Sequence, residues 1–130
     1  MIIVKTYNFN IKSEKQNFLI SSQAYKNQII SLILRDCYNF LNTYEKNVII
    51  IAGSECLDSI LDFKGFIFNS ISNKINNIEY IGSLLNYRVY FDIRLESNNI
   101  IYGSSLQEVD SFITIKDRKN KILKLKEITK

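Results

Sequence analysis

Residues 47–61 read NVIIIAGSECLDSIL, and this stretch decides the fold. Val48 to Ala52 are five consecutive apolar residues, four of them β-branched, a composition suited to extended chain. A strand with one wet face would alternate apolar and polar residues. An unbroken apolar run points instead to a strand covered on both faces. Gly53 ends the run, and Ser54 is placed to cap a short helix, ECLDSILDFKG. Leu57, Ile60 and Leu61 form that helix's inner stripe, with Gly65 just past its end. The flanking sequence must therefore supply layers above and below this strand.

Upstream, Ile30, Ile33, Leu34, Cys37, Leu41 and Tyr44 recur at steps of three and four, the stripe of a helix of roughly twenty residues. Ser21 or Ser22 is the expected N-cap, and Asn42 and Asn47 mark the exit. Before it, MIIVKTYNFNI places Ile3, Tyr7, Phe9 and Ile11 on one face, with Lys5 interrupting, as in a half-buried strand. Polar KSEKQN then turns the chain.

Downstream, FIFNSISNKINN fits either a strand or a projecting loop. Ile78–Ile93 is the most strand-like region: Gly82 interrupts it, and Val89, Phe91 and Ile93 alternate with Arg88, Tyr90 and Asp92. LESNN makes a turn, and IIYG makes a short strand ended by Gly103. Residues 111–130 read as a basic hairpin, FITI and KILKLKEI around a polar KDRKN turn. The expected fold is a single α+β domain over residues 1–130, one long and one short helix on a mainly antiparallel or mixed sheet.

Composition narrows the chemistry. With 46% hydrophobic and 23% charged residues the chain has the balance of a globular domain. Its longest purely apolar run is only strand-sized, so no membrane association is expected. The N-terminus lacks the pattern of a secretory signal. There is no histidine, which removes the commonest general base and zinc ligand. Cys37 and Cys56 share no metal-like spacing and sit among apolar residues, as expected of buried, reduced thiols.

Ser54, Cys56 and Asp58 follow a strand, yet the pattern is not G-x-S-x-G and no histidine can activate them. A phosphate at that turn lacks a glycine-rich loop and would meet Glu55 and Asp58. Asp58, Asp62, Asp92, Glu96, Glu108 and Asp110 match no calcium loop. No catalytic residue, cofactor, metal or small-molecule substrate is expected.

Charge is localised. Residues 116–130 carry seven Lys/Arg against Asp117 and Glu127, net +5 in a chain of net +4, which leaves the first 115 residues at −1. Lys116, Arg118, Lys119, Lys121, Lys124 and Lys126 are candidate contacts to nucleic acid or an acidic partner. On a strand, the same lysines would guard a sheet edge against aggregation. Aromatics near the tail are few, Phe112 and Tyr102, so base stacking gains little support.

The segment Asn47–Asp117 resembles the latter part of the major capsid proteins of tailed bacteriophages, most nearly the T-even-type family. The likeness rests on Asn47, Val48, Ile49 and Ile50 with Ser54, then Leu57, Ile60, Leu61 and Phe66. It continues with Gly82, Leu84, Val89, Tyr90 and Asp92 in GSLLNYRVYFD, and with Ile100, Ile101 and Gly103. The long helix fits the family's spine helix, so the capsid-like region spans about 22–117. The chain differs at Ile93 and Arg94, where the family has proline and tyrosine, and at Ser104 and Ser105, where it has a lysine.

The resemblance implies the axial domain of the tailed-phage capsid fold and a structural virion protein that is not an enzyme. It further implies that the partners are other copies of the chain or other capsid subunits, in the virion or in host cytoplasm before assembly. Complete subunits of that family are more than twice as long and carry an arm and an extended loop, so the chain corresponds to their central and C-terminal part. Tyr80, Tyr87, Tyr90 and Tyr102 are expected either at contacts between subunits or in the core. The alternative function is a small nucleic-acid-binding or ribosome-associated module that uses the basic tail.

Overall fold

A computed structural model describes residues 2–7, 18–43, 47–71 and 74–128. Along the chain run β1 (Ile3–Thr6), α1 (Phe18–Thr43), β2 (Ile49–Ala52), α2 (Ser54–Leu61), β3 (Phe66–Phe68) and β4 (Lys74–Ile75). They are followed by β5 (Ile78–Leu84), β6 (Tyr87–Phe91), β7 (Asn99–Gly103) and α3 (Leu106–Ile128). The strands form one sheet in the order β1-β7-β2-β6-β5-β3, and β4 also pairs with β5. Among the described strands, only β2 and β6 are parallel neighbours; the other pairs are antiparallel. The fold is α+β, three helices on a mixed sheet.

The strand read from the unbroken apolar run is central, between β7 and β6. Its Ile50 and Ala52 join Val48 on one face in a core with Ile29, Ile30, Ile33, Cys37 and Phe40 of α1 and Cys56 and Ile60 of α2. Ile51 faces the other way, into a second core with Ile78, Tyr90, Leu95, Ile101 and the α3 residues Val109 and Ile113. Each fully buried isoleucine contributes roughly 1.5–3 kcal/mol. Covering both faces of β2 is therefore worth roughly twice as much as covering one. Among the described residues, no helix is long and apolar enough to cross a membrane.

Several expectations need correction. α1 begins at Phe18, so Ser21 and Ser22 lie inside it rather than at its cap. The expected strand residues Phe9 and Ile11, the KSEKQN turn and Tyr44 lie outside the described residues. On α2 the buried positions are Cys56, Ser59 and Ile60, with Leu57 partly covered, while Leu61 is exposed. Gly53, not Ser54, holds the N-cap position, and Asp62, not Gly65, closes the helix.

The largest difference lies in the expected hairpin of residues 111–130, where a helix continues to Ile128 and the last two residues lie outside the described ones. The chain alternates locally in FITI and KILKLK, but the longer period wins. Leu106, Val109 and Ile113 step by three and four and pack on the sheet. Ser105 and Glu108 have capping-box spacing: the Glu108 amide donates to Ser105 Oγ at 3.5 Å and the Val109 amide to the Ser105 carbonyl at 3.1 Å. Beyond Ile113 the inward lane continues as Lys116, Asp117 and Asn120, so apolar docking stops there. From Arg118 to Leu123 every residue is exposed, and the helix continues to Ile128.

Candidate assembly surface

Most of the residues behind the capsid resemblance prove to be internal supports. Leu84 and Val89 lie fully buried under α1 and α2, and Tyr90 lies on the opposite face, tilted against Tyr80 with ring centroids 5.3 Å apart. Gly82 sits opposite Phe68 where β5 is irregular, and a Cβ there would overlap the Ile67 carbonyl oxygen. Only glycine lets the two backbones approach this closely. Gly103 is buried at the end of β7. Asn47 and Ser54 are exposed and lie apart from this group, before β2 and at the start of α2.

Asp92 is fully buried directly after β6 and serves as an anchor. Its Oδ1 accepts the Arg94 amide at 2.9 Å, a local turn that Asp favours. The Arg94 guanidinium then grips the same carboxylate, Nε to Oδ1 at 3.1 Å and Nη2 to Oδ2 at 2.7 Å. The same guanidinium reaches α3, bonding Asp110 Oδ1 at 3.1 Å and Thr114 Oγ1 at 3.0 Å. Hydrogen bonding to Asp92, opposed by burial and aided by Asp110, holds the guanidinium charged. Arg94 thus fastens α3 to the sheet. The Asp-x-Arg spacing was visible in the sequence, but Arg94 counted there only as a departure from the family.

A second polar group ties β1, β7 and α1 together. The Tyr7 hydroxyl donates to Asp36 Oδ2 at 2.7 Å and also bonds the Tyr102 hydroxyl. Burial pushes both phenols far above their ordinary range. Cys37 and Cys56 are free and buried, and burial pushes each thiol up to about 12. Neither is poised as a nucleophile. Of the four tyrosines in question, Tyr90 and Tyr102 are buried and complete the core, while Tyr80 and Tyr87 pack against it half-buried and line open depressions.

The N-terminus of α2 is already occupied. The amides of Glu55 and Cys56 donate to the Ser97 carbonyl at 2.9 and 3.2 Å, and the Gly53 amide donates to Asn99 at 2.8 Å. Gly53 permits this: a Cβ would overlap the Glu96 carbonyl oxygen and lie 2.8 Å from that of Ser97. An anion has no access to these donors.

Two open depressions flank the sheet. One, of about 520 Å³ at the start of β2 and β6, presents Asn47, Asn86, Tyr87, Arg88 and Ser104. Its lining contains neither a carboxylate nor a thiol. The other, of about 330 Å³, is a shelf of Ile75, Ile78, Tyr80, Tyr90 and Leu106 with Arg88 at its side. Among the described residues, no three acidic or cysteine side chains gather as metal ligands.

The most conspicuous surface is a sheet edge. Phe66, Ile67 and Phe68 pair with Leu84, Ser83 and Gly82, and Lys74 and Ile75 with Glu79 and Ile78. β3 and β4 are thus two pieces of one edge along β5, separated by residues 69–73. The region was read as strand or loop, and it contains both. Ile67, Phe68, Ile71 and Ile75 are 70%, 65%, 72% and 50% exposed, large apolar side chains at a place most proteins guard with charge. The Asn69 amide donates to the Ile81 carbonyl at 2.8 Å and its Nδ2 to the Ile71 carbonyl at 2.6 Å, which fixes the start of the excursion. At the far edge, by contrast, β1 exposes Lys5 and Thr6.

Lys116, Arg118, Lys119 and Lys121 are all exposed on α3, and Lys124 and Lys126 belong to its last two turns. Because this segment is a helix, these residues guard no sheet edge. Comparison with family models, with characterised proteins and with solved structures finds no match to this chain.

Proposed function

We propose that the protein is a structural subunit of a virion, capsid or capsid-related, which associates with copies of itself through the β3–β4 edge. The exposed apolar row Ile67, Phe68, Ile71 and Ile75 carries this reading. An edge strand offers unpaired backbone donors and acceptors to another chain, and these side chains add apolar area to the same contact. The resemblance of segment Asn47–Asp117 in sequence to tailed-phage capsid proteins points the same way. The residues behind it, from Gly82 to Asp92, serve to make the block rigid rather than to surround a reactive centre. On this reading the chain has no catalytic role and resides in the virion, or in host cytoplasm before assembly.

Size-exclusion chromatography with light scattering across a concentration series tests the proposal. Dimers or larger species should grow with concentration and persist in high salt, since apolar contacts are not screened. The double variant Ile67→Lys/Ile71→Lys should return the chain to monomer with its fold intact. A wild-type chain that stays monomeric at high concentration in high salt would defeat the reading.

A further inference from the structure

We infer that the distal half of α3 docks in the major groove of duplex DNA. The inference is independent of the edge contact, because it uses a different element. Three observations carry it.

The first is that the helix is largely uncovered from Arg118 onward among the described side chains, Lys121 meeting only Asp117 of the same helix at 3.3 Å. Among the described side chains Ile113 is its last buried one, and Arg118–Leu123 are exposed throughout. The helix runs on to Ile128, so the stretch from Arg118 is roughly 16 Å long at 1.5 Å per residue.

The second is charge. Residues 116–128 hold six cations, Lys116, Arg118, Lys119, Lys121, Lys124 and Lys126, against Asp117 and Glu127. That is net +4, equal to the total for the chain, so the rest of the protein is neutral overall. Two such helices would repel one another, which excludes a second copy of α3 as the occupant.

The third is the arrangement of the cations around the helix. Taking Lys116 as zero, Arg118, Lys119 and Lys121 lie at about 200°, 300° and 140° by the helical rotation of 100° per residue. Lys116 continues the docked lane of Val109 and Ile113, while Arg118, Lys119 and Lys121 fan over about 160° of the side turned away from it. A flat acidic protein surface would engage only one of these directions. A groove walled by phosphates engages several at once, and the major groove of B-DNA, about 12 Å wide, admits a helix. The major groove of duplex RNA is too deep and narrow for that. The exposed Ile122 and Leu123 between the cations add a further preference, because thymine methyls in the DNA major groove accept apolar contacts.

The test is fluorescence anisotropy on the full chain with a labelled 20-base-pair DNA duplex, the matching RNA duplex, single-stranded DNA and polyglutamate as probes. The DNA duplex should bind at least tenfold more tightly than the other three. With four phosphate contacts, affinity should fall roughly a hundredfold between 50 and 200 mM salt. Lys116→Gln/Arg118→Gln/Lys119→Gln/Lys121→Gln should abolish most of that binding and flatten the salt dependence. All four side chains are exposed, and circular dichroism should show the fold unchanged. A control at distant lysines, Lys5→Gln/Lys64→Gln/Lys74→Gln, should bind like wild type. Absence of binding at 50 mM salt, equal affinity for any of the other three polyanions, or retention of binding in the quadruple variant would each overturn the inference.

Discussion

Arg94→Ala is the perturbation whose effect the structure fixes most closely. Wild-type Arg94 makes five hydrogen bonds, three to Asp92 and two to α3, counting its own backbone amide. Alanine keeps the backbone bond and loses the other four. What matters most is the partner left behind. Asp92 has 0% side-chain exposure, so its charge would stay buried with no counter-ion. Leaving one member of a buried pair uncompensated costs about 3–5 kcal/mol, whereas an exposed pair is worth about 1 kcal/mol or less. A domain of this size holds about 5–15 kcal/mol in total. With a urea slope of about 2 kcal/mol per molar, the unfolding midpoint followed by circular dichroism should fall by roughly 2 M. Asp110→Asn provides the internal comparison. Asp110 is 22% exposed and accepts from the same guanidinium, so its loss should amount to about 1 kcal/mol. A loss of under about 1 kcal/mol for Arg94→Ala, or equal losses for the two variants, would refute the claim that Asp92 is held in a dry site by Arg94.

Two further outcomes follow from local chemistry. Leu85 sits at φ 54° in the two-residue turn between β5 and β6, half exposed, in the left-handed region that disfavours a Cβ. Leu85→Gly should therefore raise stability by about 1 kcal/mol and the thermal midpoint by about 3–5 °C, and a lowered midpoint would show that the leucine packs usefully. Burial raises the thiols of Cys37 and Cys56 from 9.0 to about 12 and raises the phenols of Tyr7 and Tyr102 as well. The sign is the same for all four: the neutral group fits the fold, so their contribution is complete below pH 9 and is lost as pH climbs towards 12. Urea unfolding between pH 8 and 11 should show falling stability, and both thiols should react with a thiol reagent only upon unfolding. Rapid labelling of either cysteine in the native protein would contradict their burial.

The sequence announced those elements whose apolar period matches their surroundings. β2 could be read because an unbroken aliphatic run has no other stable place than the middle of a covered sheet. α1 could be read because Ile30, Ile33 and Cys37 keep helical spacing and are all buried. The ribbon of β5 and β6 followed from the alternation of Val89 with Tyr90, which do enter opposite cores. α3 escaped because two periods overlap in it. Phe112 to Ile115 alternate, and so do Leu123 and Leu125, but the docking residues Leu106, Val109 and Ile113 straddle the start of that run. The Ser105–Glu108 capping spacing was the signal that would have decided it. The edge row of Ile67, Phe68 and Ile71 was legible as apolar but not as exposed. Exposure is set by strand order, and strand order is a long-range property that no local window contains. Arg94 was illegible for the same reason, since its partners Asp110 and Thr114 are 16 and 20 residues away.

Strand order also governs what an assembly built on this chain can become. β3–β4 lies at one end of the sheet and β1 at the other. If two β3–β4 edges meet, the same patch on each copy is related by a two-fold rotation, and association closes at a dimer. If β3–β4 of one copy meets β1 of the next, each added copy presents a fresh edge and the sheet extends into a ring or filament. The side chains favour the first arrangement. Ile67, Phe68 and Ile71 can cover one another across a two-fold axis, whereas Lys5 and Thr6 of β1 would leave them facing a charge and a hydroxyl. A closed pair cannot enclose a volume, so a shell would need a second, independent contact from another face. α3 meets this edge only at its β4 end, where Asn76 Nδ2 donates to Asp110 Oδ2 at 3.0 Å and Leu106 shares a shelf with Ile75, whereas the exposed cations from Arg118 onward lie at least two turns further along the helix. Edge pairing and DNA binding can therefore proceed on one molecule together. Two cationic helices in a single dimer would then bind one duplex with the gain in effective concentration that a bivalent ligand receives.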